Sequence, residues 1–244
     1  TISGMGLAPI KNEGESADFD DFVQGYSTRY THDTYKFGMR FTEELIEDDL
    51  YNIANGQAGK GSKIIGFSFR QSKEIAGANI FNNAFDTNYV GGDAATLIAS
   101  AGGGGSTTHP LKKSGGTTTN GPAAAVDLSM SALQAAVENM ELTLDDAGLT
   151  TFRKPTILLV PTTGQWIAGE LLKSEYKPYT NDNEVNALQG KGLQFVVNHF
   201  ISSGNGRWFL LADKNNHSLR CFQRTPFETR WFDEPKTGDV LCRG

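Results

Sequence analysis

Tyr35-Lys36-Phe37-Gly38-Met39-Arg40-Phe41-Thr42-Glu43-Glu44-Leu45-Ile46 decides how the rest of this chain is read. Tyr35, Phe37, Met39 and Phe41 alternate with Lys36, Gly38 and Arg40, the period-two pattern of a strand with one buried face. Thr42 then stands where a helix cap belongs, and Glu43 and Glu44 put carboxylates at the positive end of the helix dipole. Leu45, Ile46, Leu50 and Ile53 share one side of that helix. The run Gly56-Gln57-Ala58-Gly59-Lys60-Gly61 interrupts it, and Ser62 is the expected cap of a longer helix reaching to about Phe85. Ile65, Phe69, Ala76, Ile80 and Ala84 form its apolar row, with Phe81 and Phe85 beside them, leaving Arg70, Gln71, Lys73 and Glu74 for water or a partner. Such a helix is a spine for a fold, not the wall of a pocket.

Outward from this stretch, residues 1–29 are polar and acidic. Glu13, Glu15, Asp18, Asp20 and Asp21 make them a solvent-facing excursion, and strand signals begin at Phe22-Val23 and Tyr26-Ser27-Thr28. On the other side, residues 89–122 are dominated by Gly, Ala, Ser and Thr and read as a floppy surface loop, with Leu97, Ile98 and Ala99 as a short element before it. The clearest helix follows: Asp127 or Ser129 caps it, Leu133, Ala136, Val137, Met140 and Leu144 recur at helical spacing, and Gly148 is its expected stop. Residues 156–160 form a short apolar strand ended by Pro161. Thr162 or Thr163 then caps a helix carrying Trp166, Ile167, Leu171 and Leu172. Helix, buried strand and helix in series predict a sheet sandwiched by helices. The tail alternates strands at 193–197, 208–211, 219–223, 228–232 and 240–242 with turns at Ser203-Gly204-Asn205-Gly206 and Lys214-Asn215-Asn216-His217.

Composition bounds the function. A chain of 244 residues, 38% hydrophobic and 20% charged, suits one large domain or two interleaved ones with a buried core, and no apolar run is long enough to cross a bilayer. Its net charge of -6, with no block of Lys or Arg, argues against a protein that grips nucleic acid by phosphate neutralisation. Cys221 and Cys242 lack metal-ligand spacing, and two reduced thiols are expected in preference to a disulfide.

Catalytic and binding motifs fail on detail. Gly59-Lys60-Gly61 is no phosphate cradle, because a glycine follows the lysine and Ala54 takes the upstream glycine position. The turn Pro161-Thr162-Thr163-Gly164 stands where α/β enzymes place their chemistry, but it holds neither a serine nucleophile elbow nor a glycine fingerprint. His32, His109, His199 and His217 are scattered and read as surface or loop histidines. Asn181-Asp182-Asn183-Glu184-Val185-Asn186 suggests calcium, yet Val185 occupies a ligand position and no bidentate Glu closes the loop, so an Asx-rich turn is expected. No cofactor or metal is expected, and no catalytic residue is assigned.

Several blocks together resemble the major capsid proteins of tailed bacteriophages, and most closely the Mu-like major head subunits. They are Tyr30-Thr31-His32, Phe37-Gly38-Met39-Arg40-Phe41-Thr42-Glu43-Glu44-Leu45-Ile46-Glu47-Asp48-Asp49 and Ala78-Asn79-Ile80-Phe81-Asn82-Asn83-Ala84-Phe85. Downstream come Pro155-Thr156-Ile157-Leu158-Leu159-Val160-Pro161, Leu171-Leu172-Lys173-Ser174, Asn181-Asp182-Asn183-Glu184-Val185-Asn186 and Trp208-Phe209-Leu210-Leu211-Ala212-Asp213. Each block is weak alone; their order and spacing carry the resemblance.

The resemblance implies an α+β fold of the Hong Kong phage type (HK97-like). Residues 1–36 would be an extended hairpin (E-loop) lying over a neighbouring subunit, 37–89 a peripheral domain with a spine helix, 90–217 an axial domain, and 218–244 return strands of the peripheral domain. It implies a structural protein, not an enzyme, that self-assembles into pentamers and hexamers of an icosahedral virion shell in the bacterial host cytoplasm. The shell would enclose double-stranded DNA without sequence-specific binding and without a membrane, with scaffold, portal and cement proteins as partners. Its acidic residues would avoid adhesion to the entering genome if they line the inner wall. Family members usually carry an arm before the hairpin and further chain after the last strand, so both ends are expected to continue beyond this sequence. Arg220, Arg224, Arg230 and Arg243 recur along the late strands, either as a solvated face or as intersubunit partners of the acidic hairpin. The alternatives are an encapsulin-like nanocompartment shell, which shares the fold but encloses protein, and a soluble α/β enzyme.

Overall fold

The computed structural model describes residues 2–48, 60–178, 184–202, 206–217, 219–237 and 239–244. Expectations for Leu50, Ile53, residues 56–59, 181–183 and 203–205 lie outside them. The chain divides into two compact units: Thr1–Arg29 with Ala78–Leu219, and Tyr30–Gly77 with Arg220–Gly244.

The larger unit is built around strand β4, Pro155–Pro161, the middle member of a three-stranded sheet. It pairs in parallel with β5, Gln194–Asn198, and antiparallel with β6, Phe209–Ala212. Alternate residues of β4 enter two separate cores, as period two requires. Leu158 and Val160 pack with Leu133 of α3 (Met130–Glu141) and with Ala168 and Leu172 of α4 (Gln165–Lys173). Leu159 packs on the other side with Phe209, Ile201, Ala78 and Ala84, where Phe81 and Phe85 add their rings. The strand is thus covered by helices on both faces, as its unbroken apolar run predicts.

Helix boundaries follow side-chain bonds. Ser129 caps α3 by accepting the Ala132 N–H at 3.3 Å. The helix stops at Glu141, well before the expected Gly148, because the chain turns into a small hairpin closed by Leu144 and Thr150. There Asp145 Oδ1 accepts the N–H groups of Ala147 and Leu149, and Gly148 supplies the positive φ. A 3-10 turn, Thr162–Gly164, leads into α4 without the side-chain cap expected from Thr162 or Thr163, and Trp166 and Ile167 face solvent.

The glycine-rich segment departs most from expectation. It is a packed crossover, not a floppy loop. Thr96 and Ser106 exchange bonds, each side-chain oxygen accepting the other's N–H at 3.0 Å. Asn120 accepts the Ala99 N–H at 2.7 Å and donates to the Leu97 carbonyl at 2.8 Å. Beyond lie two short paired strands, β2 (His109–Pro110) and β3 (Thr117–Thr118). Glycine is needed here for space: a Cβ on Gly103 would come within 2.6 Å of the Phe85 ring, and one on Gly105 within 2.6 Å of the Phe85 carbonyl oxygen.

The smaller unit joins β1 (Gly38–Phe41), β8 (Val240–Arg243) and β7 (Arg230–Asp233) in an antiparallel sheet, order β1-β8-β7. Phe41, Cys242 and Ile65 are its buried centre, with Met39, Phe69 and Trp231 against them. Tyr35 and Phe37 were expected on the buried face but are exposed: backbone bonds reach Phe37 through Gly244, and Tyr35 lies past that pairing. Thr42 caps α1, Glu43–Glu47, as predicted, although Leu45 and Ile46 remain exposed.

Helix α2, Lys60–Asn82, begins before Ser62, the expected cap, and ends before Phe85. Its end is set by Asn82, whose amide bonds the Phe200 carbonyl and the Ser202 N–H while Arg207 takes its backbone carbonyl at 2.6 Å. Its apolar row is interrupted, since Ile65 and Ala78 are buried but Ala76 and Ile80 are exposed. No strand forms over residues 219–223, and the signal at 22–28 yields one bridge, between Gln24 and Ile2. Among the described residues no helix is long and apolar enough to cross a membrane.

Leu158→Ala should destabilise the protein by about 2–5 kcal/mol in chemical denaturation, because the cavity opens beside two helices. Val196→Ala on β5, where the side chain is 46% exposed, should cost under about 0.5 kcal/mol.

Candidate functional site

The β4-to-α4 turn, the strongest place for chemistry on fold grounds, holds one polar pair. Thr162 Oγ1 lies 3.2 Å from His199 Nδ1, and both residues are exposed. His109 differs from the sequence expectation. Its Nδ1 lies 2.7 Å from Asp93 Oδ2, both side chains are largely buried, and its Nε2 has no hydrogen-bond partner. The pair joins the turn at Asp93 to β2. Among the described residues no three His, Cys, Asp or Glu side chains are placed to hold a metal. Cys221 is exposed and Cys242 buried; both are free thiols, and burial pushes the Cys242 thiol up despite a hydrogen bond with the Ser62 hydroxyl.

What the surface offers is contact area. The arm, residues 2–29, crosses the larger unit with almost no buried side chain: Leu7, Ile10, Phe19 and Phe22 all face water. It is fastened by polar groups. Ser3 and Val23 exchange bonds at 2.9 Å, and Lys113 gathers Gly4, Asp20 and Asp21. Trp166 on α4 is 75% exposed above a shallow groove floored by Phe195, over whose ring Lys173 lies at 5.3 Å.

The smaller unit carries the late arginines. Arg230 and Arg243 are aligned across β7 and β8. Arg243 lies 4.6 Å above the Phe232 ring, and Arg230 bonds Glu228 at 3.3 Å. Arg40 is anchored differently, to nearly buried Asp239 at 2.5 Å and to Glu234 at 3.2 Å. Burial opposes the charge of Asp239, but the Thr237 hydroxyl, the Arg40 guanidinium and the Glu43 N–H outweigh it and hold the carboxyl below its ordinary range. This network ties the β1–α1 junction to the β7–β8 turn.

Residues 25–241 match the family model for phage capsid protein, a span that includes most of both units. The chain belongs to the phage capsid protein family. Among solved structures it is similar to a chain of the capsid of bacteriophage JBD30, a capsid decorated with minor capsid protein trimers. There the identity is 13%, the TM-score is 0.58, and 83% of this chain and 84% of that chain are covered. At that identity the likeness speaks for the fold, an α+β capsid fold. No curated protein sequence matches. As a capsid protein the chain is a structural component of a virion. Family membership, not any missing group, decides against the α/β enzyme alternative. The capsid-protein blocks were legible in the sequence. The fastening role of Lys113 was not, because nothing local distinguishes it from Lys112.

The Asp239 carboxylate has a lowered pKa in the fold, so its contribution is full above the unfolded value and is lost as pH falls through the folded one. The urea midpoint of the native protein should therefore exceed that of Asp239→Asn at pH 7, and the gap should shrink on acidification below about pH 4.

Proposed function

We propose that this chain is the major capsid subunit of a tailed-phage head of the Hong Kong phage type, nearest to the Mu-like major head subunits, and that it builds the pentamers and hexamers of an icosahedral shell around double-stranded DNA. The observation that carries the proposal is the extent of the family match, residues 25–241, which embraces most of both units. In this account residues 1–36 are the extended hairpin over a neighbouring subunit, and 37–89 form the peripheral domain with α2 as its spine. Residues 90–217 form the axial domain near ring centres, and 218–244 return to the peripheral domain. Scaffold and portal proteins would act in the host cytoplasm during assembly, and a cement protein would decorate the shell.

The mechanism is mechanical. One subunit must accept slightly different neighbours in rings of five and six, so it needs parts that bend and parts that do not. The rigid part is the double-faced β4 core. The arm supplies the adaptable part, since no apolar side chain of its 4–21 stretch is buried. The glycine-rich crossover is not among the adaptable parts, because Gly103 and Gly105 lie in close contact with Phe85, and Gly105 also with Thr96.

Deleting residues 11–21 should leave the circular dichroism spectrum and the denaturation midpoint nearly unchanged while abolishing closed shells, as read by sedimentation. Normal shells from that deletion would refute the assignment of the arm.

A further inference from the structure

One ammonium group closes the arm. Lys113 lies between β2 and β3 with its side chain only 12% exposed. Its Nζ donates to Asp20 Oδ2 at 2.6 Å, to the Gly4 carbonyl at 2.8 Å and to the Asp21 carbonyl at 3.1 Å. All three of its hydrogens are used. Asp20 Oδ2 also accepts the Gly6 N–H at 2.9 Å, so both ends of the 4–21 loop converge on one charge. Lys113 is positioned in turn by Asp146, whose carboxylate accepts the N–H groups of Lys112 and Lys113 and whose carbonyl accepts the Ser114 N–H at 3.1 Å.

Between those ends the chain is turned inside out. Leu7, Ile10 and Phe19 are 83%, 99% and 95% exposed. A segment that stays with its own subunit normally buries its apolar side chains and leaves its charges in water. Here the charges hold the segment and the apolar groups point away. Ion pairs with one exposed partner are weak, and Asp20 is 45% exposed, so this fastening suits a bond that is meant to open. Three large side chains leaving water together would favour the opened arm wherever a second surface receives them.

Resting on the assembly reading above, we propose that Lys113 is a catch: it stows residues 4–21 on their own subunit and releases them when the arm docks on a second copy of this chain, so that its strength sets how fast subunits associate. The Gly6 N–H and then Lys113 hold the Asp20 carboxyl below its ordinary range, which keeps the catch ionised at neutral pH and lets acid loosen it.

The test uses the full chain with three substitutions. Lys113→Met keeps the stem and removes the donor, Asp20→Asn removes the acceptor charge from the exposed arm, and Lys113→Arg keeps the positive charge. Lys113→Met and Asp20→Asn should speed thermolysin cleavage within residues 4–22 by about tenfold, in proportion to the opened population. Both should also shorten the lag before shells appear at equal concentration, with Lys113→Arg close to the native chain. Faster cleavage with an unchanged lag would overturn the catch, and so would unchanged cleavage in Asp20→Asn. If native chain and variants all remain monomeric, the assembly reading itself fails and takes the catch with it.

Discussion

Leu158, Leu159 and Val160 are consecutive on one strand and yet belong to two cores, and the larger unit depends on both being closed. Burial of each such side chain contributes about 1.5–3 kcal/mol, but only if helices cover both faces of the sheet. That requirement places α3 and α4 on one side and the end of α2 with Phe81 and Phe85 on the other. It also explains why the crossover from Phe85 to α3 is glycine-rich. A chain passing that close to the Phe85 ring and backbone has no room for side chains at Gly103 and Gly105.

The same molecule leaves much apolar surface outside. Trp166 on α4, Ile64 and Phe67 on α2 and the arm's Ile10 and Phe19 all face water. For a lone globular protein this would be a liability for solubility and a source of aggregation. In the shell assembly proposed above, it is the surface that further copies would cover. The contrast between a double-faced core and an arm held by polar bonds fits a subunit whose centre is fixed and whose reach varies.

Local chemistry was legible in the sequence. Thr42 and Ser129 cap their helices as their positions suggest, because a hydroxyl bonding an N–H three residues on needs nothing from the rest of the chain. The run at 156–160 announced a strand buried on both sides, since it lacks alternation, and the strand extends one residue further at each end. What could not be seen locally depended on distant partners. Asn82 ends α2 because of Phe200, Ser202 and Arg207, more than 100 residues downstream. Glycines that signal freedom in composition turned out to signal close approach, a distinction only the packing around Phe85 reveals. His109 read as a surface histidine because its partner, Asp93, lies across a fold of the crossover. Sequence order, by contrast, carried the family: blocks too weak singly were informative as a series.

The central claim, that this chain is a shell-building subunit, is tested most directly by negative-stain electron microscopy of the full-length protein, produced alone and together with the gene products encoded beside it. The account predicts closed, angular shells, or rings of five and six subunits as their precursors. A persistent monomer or small dimer under every condition would contradict it.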